Sequence, residues 1–126
     1  WYGVTCNASE VVGLVLSSNN LQGSLPSQLG LLTSITSLLI NQNTLTGSVP
    51  SEIGDLSKIT TELSMFQNRF SGFLPSQLGQ LTSMSSKFYI YSNIFTGLIP
   101  SQLGELTSLH SRFYIYSNSF TGLLPS

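Results

Sequence analysis

The sequence is short of charge, of cysteine and of histidine, and each shortage excludes something. Only 7% of the 126 residues are charged, four basic and five acidic, for a formal net charge of −1. Four basic side chains give no electrostatic footprint for a phosphate backbone or an anionic membrane surface, so nucleic acid is not an expected partner. No apolar run reaches the roughly 18 residues that cross a bilayer, so this segment is not expected to insert into a membrane. One cysteine, Cys6, and one histidine, His110, cannot supply the usual four ligands of a zinc site. His110 has Ser108 and Ser111 nearby, but a triad needs a base oriented by a third group, and His110 reads as a solvated loop residue. Glu10, Glu52, Asp55, Glu62 and Glu105 form no pair recurring at a common position. No catalytic residue, metal or cofactor is therefore expected, and the chain reads as no enzyme.

What is abundant is Ser (23) and Thr (11), set among 21 leucines and seven phenylalanines, a composition that argues for a packed core over disorder. The glycines and prolines are periodic. Pro26, Pro50, Pro75, Pro100 and Pro125 stand 24 to 25 residues apart, each three residues after a glycine: Gly23, Gly47, Gly72, Gly97 and Gly122. Asn19, Asn43, Asn68, Asn93 and Asn118 precede those glycines by four. Gly30, Gly54, Gly79 and Gly104 keep the same period. Such a repeat is the signature of a solenoid whose coils each contact only their neighbours.

Aligned on that unit, the apolar positions form columns such as Leu14, Leu38, Leu63, Phe88, Phe113 and Leu16, Ile40, Met65, Ile90, Ile115. These two columns lie two residues apart, the period of a strand with one face inward. The stretch after each proline predicts a short helical turn, with the following serine capping it and the leucine-glycine step ending it. The recurring asparagine sits where the chain must turn, and its amide can satisfy backbone groups on both sides, as in a buried ladder.

The unit resembles the plant-type leucine-rich repeat, L-x-x-L-x-x-L-x-L-x-x-N-x-L-x-G-x-(I/L/V)-P-x-x-(L/I)-G-x. Leu32, Ile35, Leu38, Ile40, Asn43, Leu45, Gly47, Val49, Pro50, Ile53 and Gly54 fill it without a gap. The resemblance implies an α/β solenoid, a right-handed superhelix with a parallel sheet on its concave face and short helical or 3-10 turns on the convex side. About five repeats span residues 11–126, the last incomplete. Residues 1–10, opening Trp1-Tyr2-Gly3-Val4-Thr5-Cys6, resemble the end of the N-terminal cap of receptor ectodomains. In that family the cap cysteine pairs with one just upstream of the tryptophan, so the partner of Cys6 is expected outside the chain, and the chain reads as a piece of a longer protein.

Two departures bear on function. From the third repeat on, one extra residue precedes the strand and brings a charge with it: Glu62, Lys87 and Arg112. This reads either as a widened loop entering the strand or as charges at the rim of a binding face. The outward strand positions are also rich in aromatics: Ser64 and Phe66, Tyr89 and Tyr91, Tyr114 and Tyr116, preceded by Val15 and Ser17, and by Leu39 and Asn41. At about 4.8 Å between strands and about 6.7 Å between alternate residues, the rings would make one tile. Tyrosine gives stiff, amphipathic contact area, so Phe66, Lys87, Tyr89, Tyr91, Arg112, Tyr114 and Tyr116 are the candidate ligand-binding residues. The simpler alternative is that cross-strand aromatic pairs only stabilise the sheet.

Asn7-Ala8-Ser9 is an N-glycosylation acceptor sequence, which with the cap-like opening favours a secreted or cell-surface setting. The resemblance implies a recognition module, in signalling or defence, for a peptide, protein or glycan partner or a co-receptor. Two alternatives remain. One is an inhibitor of a cell-wall hydrolase, similar to polygalacturonase-inhibiting proteins. The other is ice binding through the hydroxyl column Thr46, Ser71, Thr96 and Thr121, which Gln22 interrupts.

Overall fold

The computed structural model describes residues 2–122. Trp1 of the cap sequence and Leu124 and Pro125 of the fifth unit lie outside the described residues. Eleven strands form two sheets running along a stack of coils. They are β1 (Val4–Asn7), β2 (Glu10–Val15), β3 (Gln22–Gly23), β4 (Ser37–Leu39), β5 (Thr44–Gly47), β6 (Glu62–Ser64), β7 (Arg69–Phe73), β8 (Lys87–Tyr89), β9 (Ile94–Gly97), β10 (Arg112–Tyr114) and β11 (Ser119–Phe120). The main sheet has the order β1-β2-β4-β6-β8-β10, and the flanking sheet the order β11-β9-β7-β5-β3.

All pairings between coils are parallel, whereas β1 folds back antiparallel on β2 as a hairpin, with Val4 opposite Leu14. The hairpin turn holds Ala8, which sits at φ 52°, next to Asn7, the exposed last residue of β1. Cys6 is exposed on β1. The flanking sheet is an addition to the single sheet expected from sequence. Its signal is the alternation after each asparagine, where Leu45, Gly47 and Val49 face inward while Thr44, Thr46 and Ser48 face out.

The core is the expected set of columns. Ile35, Leu38, Ile53, Leu56, Ile59, Leu63, Met65, Phe70, Leu78, Leu81, Met84, Phe88, Ile90 and Phe95 are fully buried. Aromatics continue the stack, with Phe70 to Phe95 at 6.2 Å and Phe88 to Phe113 at 5.0 Å between ring centroids. Each buried side chain of this size contributes on the order of 1.5–3 kcal/mol, and since its contacts lie on adjacent coils, no coil is stable alone.

The turn after Pro26, Pro50, Pro75 and Pro100 is a five-residue 3-10 helix: Ser27–Leu31, Ser51–Asp55, Ser76–Gln80 and Ser101–Glu105. Here the sequence-based account of capping is corrected. Proline, in extended conformation, occupies the N-cap, and the serine is the first helical residue and makes no capping bond. The glycine lies inside the helix instead of ending it. Its role is close approach: a Cβ on Gly30 would stand 2.6 Å from the Glu52 carbonyl oxygen, and one on Gly54 would stand 2.5 Å from that of Gln77. Positive φ recurs elsewhere, at the glycine three residues before each proline, as at Gly47 with φ 77°, and at the residue before each ladder asparagine, as at Gln42 with φ 57°.

The asparagine ladder stitches the coils at the reversal. Asn43 Oδ1 accepts from the backbone N–H groups of Asn19 and Leu21 on the preceding coil, and its Nδ2 donates to the carbonyls of Leu16 and Ile40. Asn68, Asn93 and Asn118 repeat the pattern toward Leu45, Phe70 and Phe95. Asn43, Asn68 and Asn93 are buried with their hydrogen-bonding capacity used, which is the condition for burying an amide at little cost.

Candidate binding face

The outer face of the main sheet carries the candidate residues in three rows. The first is Glu62, Lys87 and Arg112. Each is the opening residue of its strand, and they pair in register, Glu62 with Lys87 and Lys87 with Arg112. The charges therefore stand on the sheet, and the extra residue is absorbed just before it, where the N–H groups of Thr60 and Thr61 both donate to the Thr36 carbonyl. Lys87 Nζ lies 3.1 Å from Glu62 Oε2, the one ion pair among the described residues. Arg112 Nη1 donates to Tyr89 Oη at 3.4 Å. That bond, and the neighbouring phenols of Tyr89 and Tyr114, hold the guanidinium all the more firmly in its charged form.

The second row runs Ser64, Tyr89, Tyr114, and the third runs Phe66, Tyr91, Tyr116. Within a row the rings are nearly parallel. Tyr89 and Tyr114 stand 5.1 Å apart, Phe66 and Tyr91 4.5 Å, and Tyr91 and Tyr116 4.7 Å. Between the two rows they are turned on edge, as for Phe66 to Tyr89 at 78° and Tyr89 to Tyr91 at 75°. The strand spacing explains the stacking: in-register parallel strands about 4.8 Å apart impose a near-stacking distance on identical side chains. Burial and the surrounding phenols raise the Tyr91 pKa above its ordinary value.

The tile is more closed than alternation alone suggests. Tyr116 and Tyr114 are exposed, at 56% and 41%, but Tyr89 is only 9% exposed, Asn41 is buried, and Ser64 is wholly buried with no hydrogen-bond partner for its hydroxyl. Stacked rings cover one another and the small residues beside them. Sequence reasoning missed the Glu62–Lys87 pair and the burial of Tyr89, because both depend on which residue of the next coil stands alongside.

The flanking sheet carries the hydroxyl column, of which Thr46 and Thr96 have partners, as does Thr44 beside it. Thr44, Thr46 and Thr96 donate their hydroxyls to backbone carbonyls of the preceding coil, those of Leu21, Gly23 and Gly72. Exposed Phe73, Ile94 and Leu98 stand among these threonines, so the face is no uniform hydroxyl array. Among the described residues no three His, Cys, Asp or Glu side chains gather as a metal site, and no helix is long and apolar enough to cross a membrane.

The Leucine Rich Repeat family model matches residues 11–32, 34–56 and 60–81, more than half of the chain, and the same coil continues structurally through residues 82–122. No curated protein matches in sequence. Solved structures do. A chain of the BIR3–SERK2 complex from Arabidopsis thaliana is 34% identical over 99% of this chain and 67% of its own, with a TM-score of 0.89. The BIR2 ectodomain from the same plant is 28% identical over 98% of this chain and 65% of its own, with a TM-score of 0.90. The ectodomain of the Arabidopsis receptor kinase GASSHO1/SCHENGEN3, solved with CASPARIAN STRIP INTEGRITY FACTOR 2, is 38% identical over 89% of this chain, at a TM-score of 0.82. This chain spans only 13% of that ectodomain. Repeat spacing, buried asparagine ladder and structural neighbours agree: the chain belongs to the leucine-rich-repeat family, and its neighbours are ectodomains of plant receptors.

Proposed function

We propose that this chain is a non-catalytic recognition module of a cell-surface or secreted protein, and that it takes an extended peptide or protein segment on the concave face of its main sheet. The single observation that carries this reading is the two-row aromatic face, Tyr89 and Tyr114 beside Phe66, Tyr91 and Tyr116, standing next to the charged row Glu62, Lys87 and Arg112. A sheet needs only modest cross-strand pairing for stability, and rows of tyrosine beside charged side chains are the composition of a recognition surface. Neighbours solved with peptide and protein partners support the same reading. Residues 1–10 act as the end of an N-terminal cap, Cys6 takes a partner outside the chain, and Asn7, exposed at the end of β1, is the glycan attachment point, all of which suit an extracellular setting.

The test is to pan a random-peptide phage library on the protein and on the Tyr114→Ser/Tyr116→Ser double variant. Both positions are exposed, so circular dichroism should stay unchanged. Peptides enriched on the parent should lose binding to the variant. Equal enrichment on both proteins overturns the assignment of the face.

A further inference from the structure

We propose that the outer face of the flanking sheet carries a second site, separate from the concave face, for a neutral, flat-ringed oligosaccharide of the β-glucan kind, with Phe73 as its stacking platform and Arg69 as its polar anchor. Phe73, the last residue of β7, is 75% exposed and belongs to no aromatic stack among the described residues. Its ring lies across the bare backbone of Gly97 on the next coil: a Cβ there would stand 2.5 and 2.6 Å from Phe73 Cδ1 and Cε1. One face of the ring is thereby held against the sheet, and the other is turned to solvent. Strands pair with β7 on both sides, so this exposure belongs to the face and not to an end of the stack.

The opposite end of β7 supplies polar contacts. Arg69 borders an open cleft of about 490 Å³ completed by Gln22, Gly23, Thr44 and Thr46, a volume within the usual range of small-ligand sites. Thr44 and Thr46 donate their hydroxyls to the Leu21 and Gly23 carbonyls, and Thr96, paired with Phe73, donates to that of Gly72. Their donors are spent, so these three oxygens offer lone pairs outward. The matching ligand presents hydroxyl donors to them, apolar C–H groups to the electron-rich face of Phe73, and oxygen acceptors to the planar fork of Arg69. A β-linked pyranose chain has this distribution, with C–H groups on its ring faces and hydroxyls around its edges. Arg69 and Phe73 are four residues apart on one strand, about 13 Å, a length that a short run of linked sugars spans. Charge completes the match. Arg69 is the only charged residue on the five flanking strands, so a cationic sugar is repelled, while one exposed ion pair adds too little to make a carboxylate a requirement.

The experiment titrates the protein with cellotetraose, the glucosamine tetramer and tetragalacturonate, followed by calorimetry and saturation-transfer NMR. Cellotetraose should bind with an affinity that salt leaves unchanged, and the glucosamine tetramer should not bind. Phe73→Ala should weaken cellotetraose by roughly tenfold, whereas Phe73→Tyr, which keeps the ring, should not. Arg69→Lys should weaken it about as much as Arg69→Gln, because both lose the planar fork and only one loses the charge. Phe73 and Arg69 are exposed, so circular dichroism of these four variants should match the parent. The Tyr114→Ser/Tyr116→Ser variant should bind cellotetraose as the parent does, which keeps this test separate from that of the concave face. Failure of cellotetraose to bind, indifference to Phe73→Ala, tighter binding of tetragalacturonate, or loss of binding in the double tyrosine variant overturns the proposal. So does a library peptide whose binding to the parent is lost in Phe73→Ala, since the face would then take protein.

Discussion

Asn68 is the most informative position to perturb, because the structure specifies which bonds its loss would leave unmade. Its Oδ1 accepts from the Leu45 N–H at 3.1 Å, and its Nδ2 donates to the carbonyls of Ile40 at 3.0 Å and Met65 at 3.2 Å. The two carbonyls have second donors, from Asn43 and Asn93 respectively. The Leu45 N–H, beside a buried side chain, does not. Asn68→Ala therefore orphans one buried donor, at about 1–3 kcal/mol, and opens a cavity besides. A total loss of about 2–4 kcal/mol is expected, against a few tenths at Asn19→Ala, where the exposed side chain donates a single short-range bond to the Ser17 carbonyl. Asn68→Asp sharpens the test. The carboxylate keeps the acceptor but turns a second oxygen toward two carbonyls in a buried site, so its pKa in the folded state must rise above the ordinary carboxylate value. A raised folded pKa means stability that is present below the unfolded value of about 4 and lost as pH rises through the folded value. Urea denaturation followed by circular dichroism from pH 4 to neutrality should show Asn68→Asp losing stability with rising pH relative to the parent. If that variant tracks the parent, or if Asn19→Ala and Asn68→Ala cost the same, the buried asparagines do not hold the coils together.

Two further outcomes are expected. Gly54→Ala should cost about 1–3 kcal/mol by forcing a Cβ against the Gln77 carbonyl; a thermal melt no lower than the parent's would refute the close approach. Because Tyr91 titrates above the ordinary value of 10.0, chiefly through burial, its neutral form is favoured in the fold. The stability it contributes is intact below pH 10 and falls as pH rises beyond it, so the parent should lose more stability than Tyr91→Phe between neutral and strongly alkaline pH, with tyrosinate absorbance marking the transition.

Much of the molecule was legible as a one-dimensional pattern. The prolines, the glycines before them and the asparagines recur every 24 to 25 residues, and that period determines coil length, the inward columns and the buried ladder. Such features follow from sequence because each coil repeats the same local problem: an apolar face to cover, a turn to make, backbone groups to pair. The tyrosine rows were legible for the same reason. The tertiary structure alone decided what depends on the distance and register between coils. Gly54 looked like a helix terminator and is a point of close approach, because the next coil's Gln77 carbonyl lies there. Tyr89 looked exposed and is covered, because the strands bring Tyr114 to 5.1 Å. Glu62 and Lys87 read either as charges of a widened loop or as charges at a rim, and they are an ion pair on the sheet, because their strands are in register. Periodicity states which residues recur; only the packing of one coil on the next determines which of them meet.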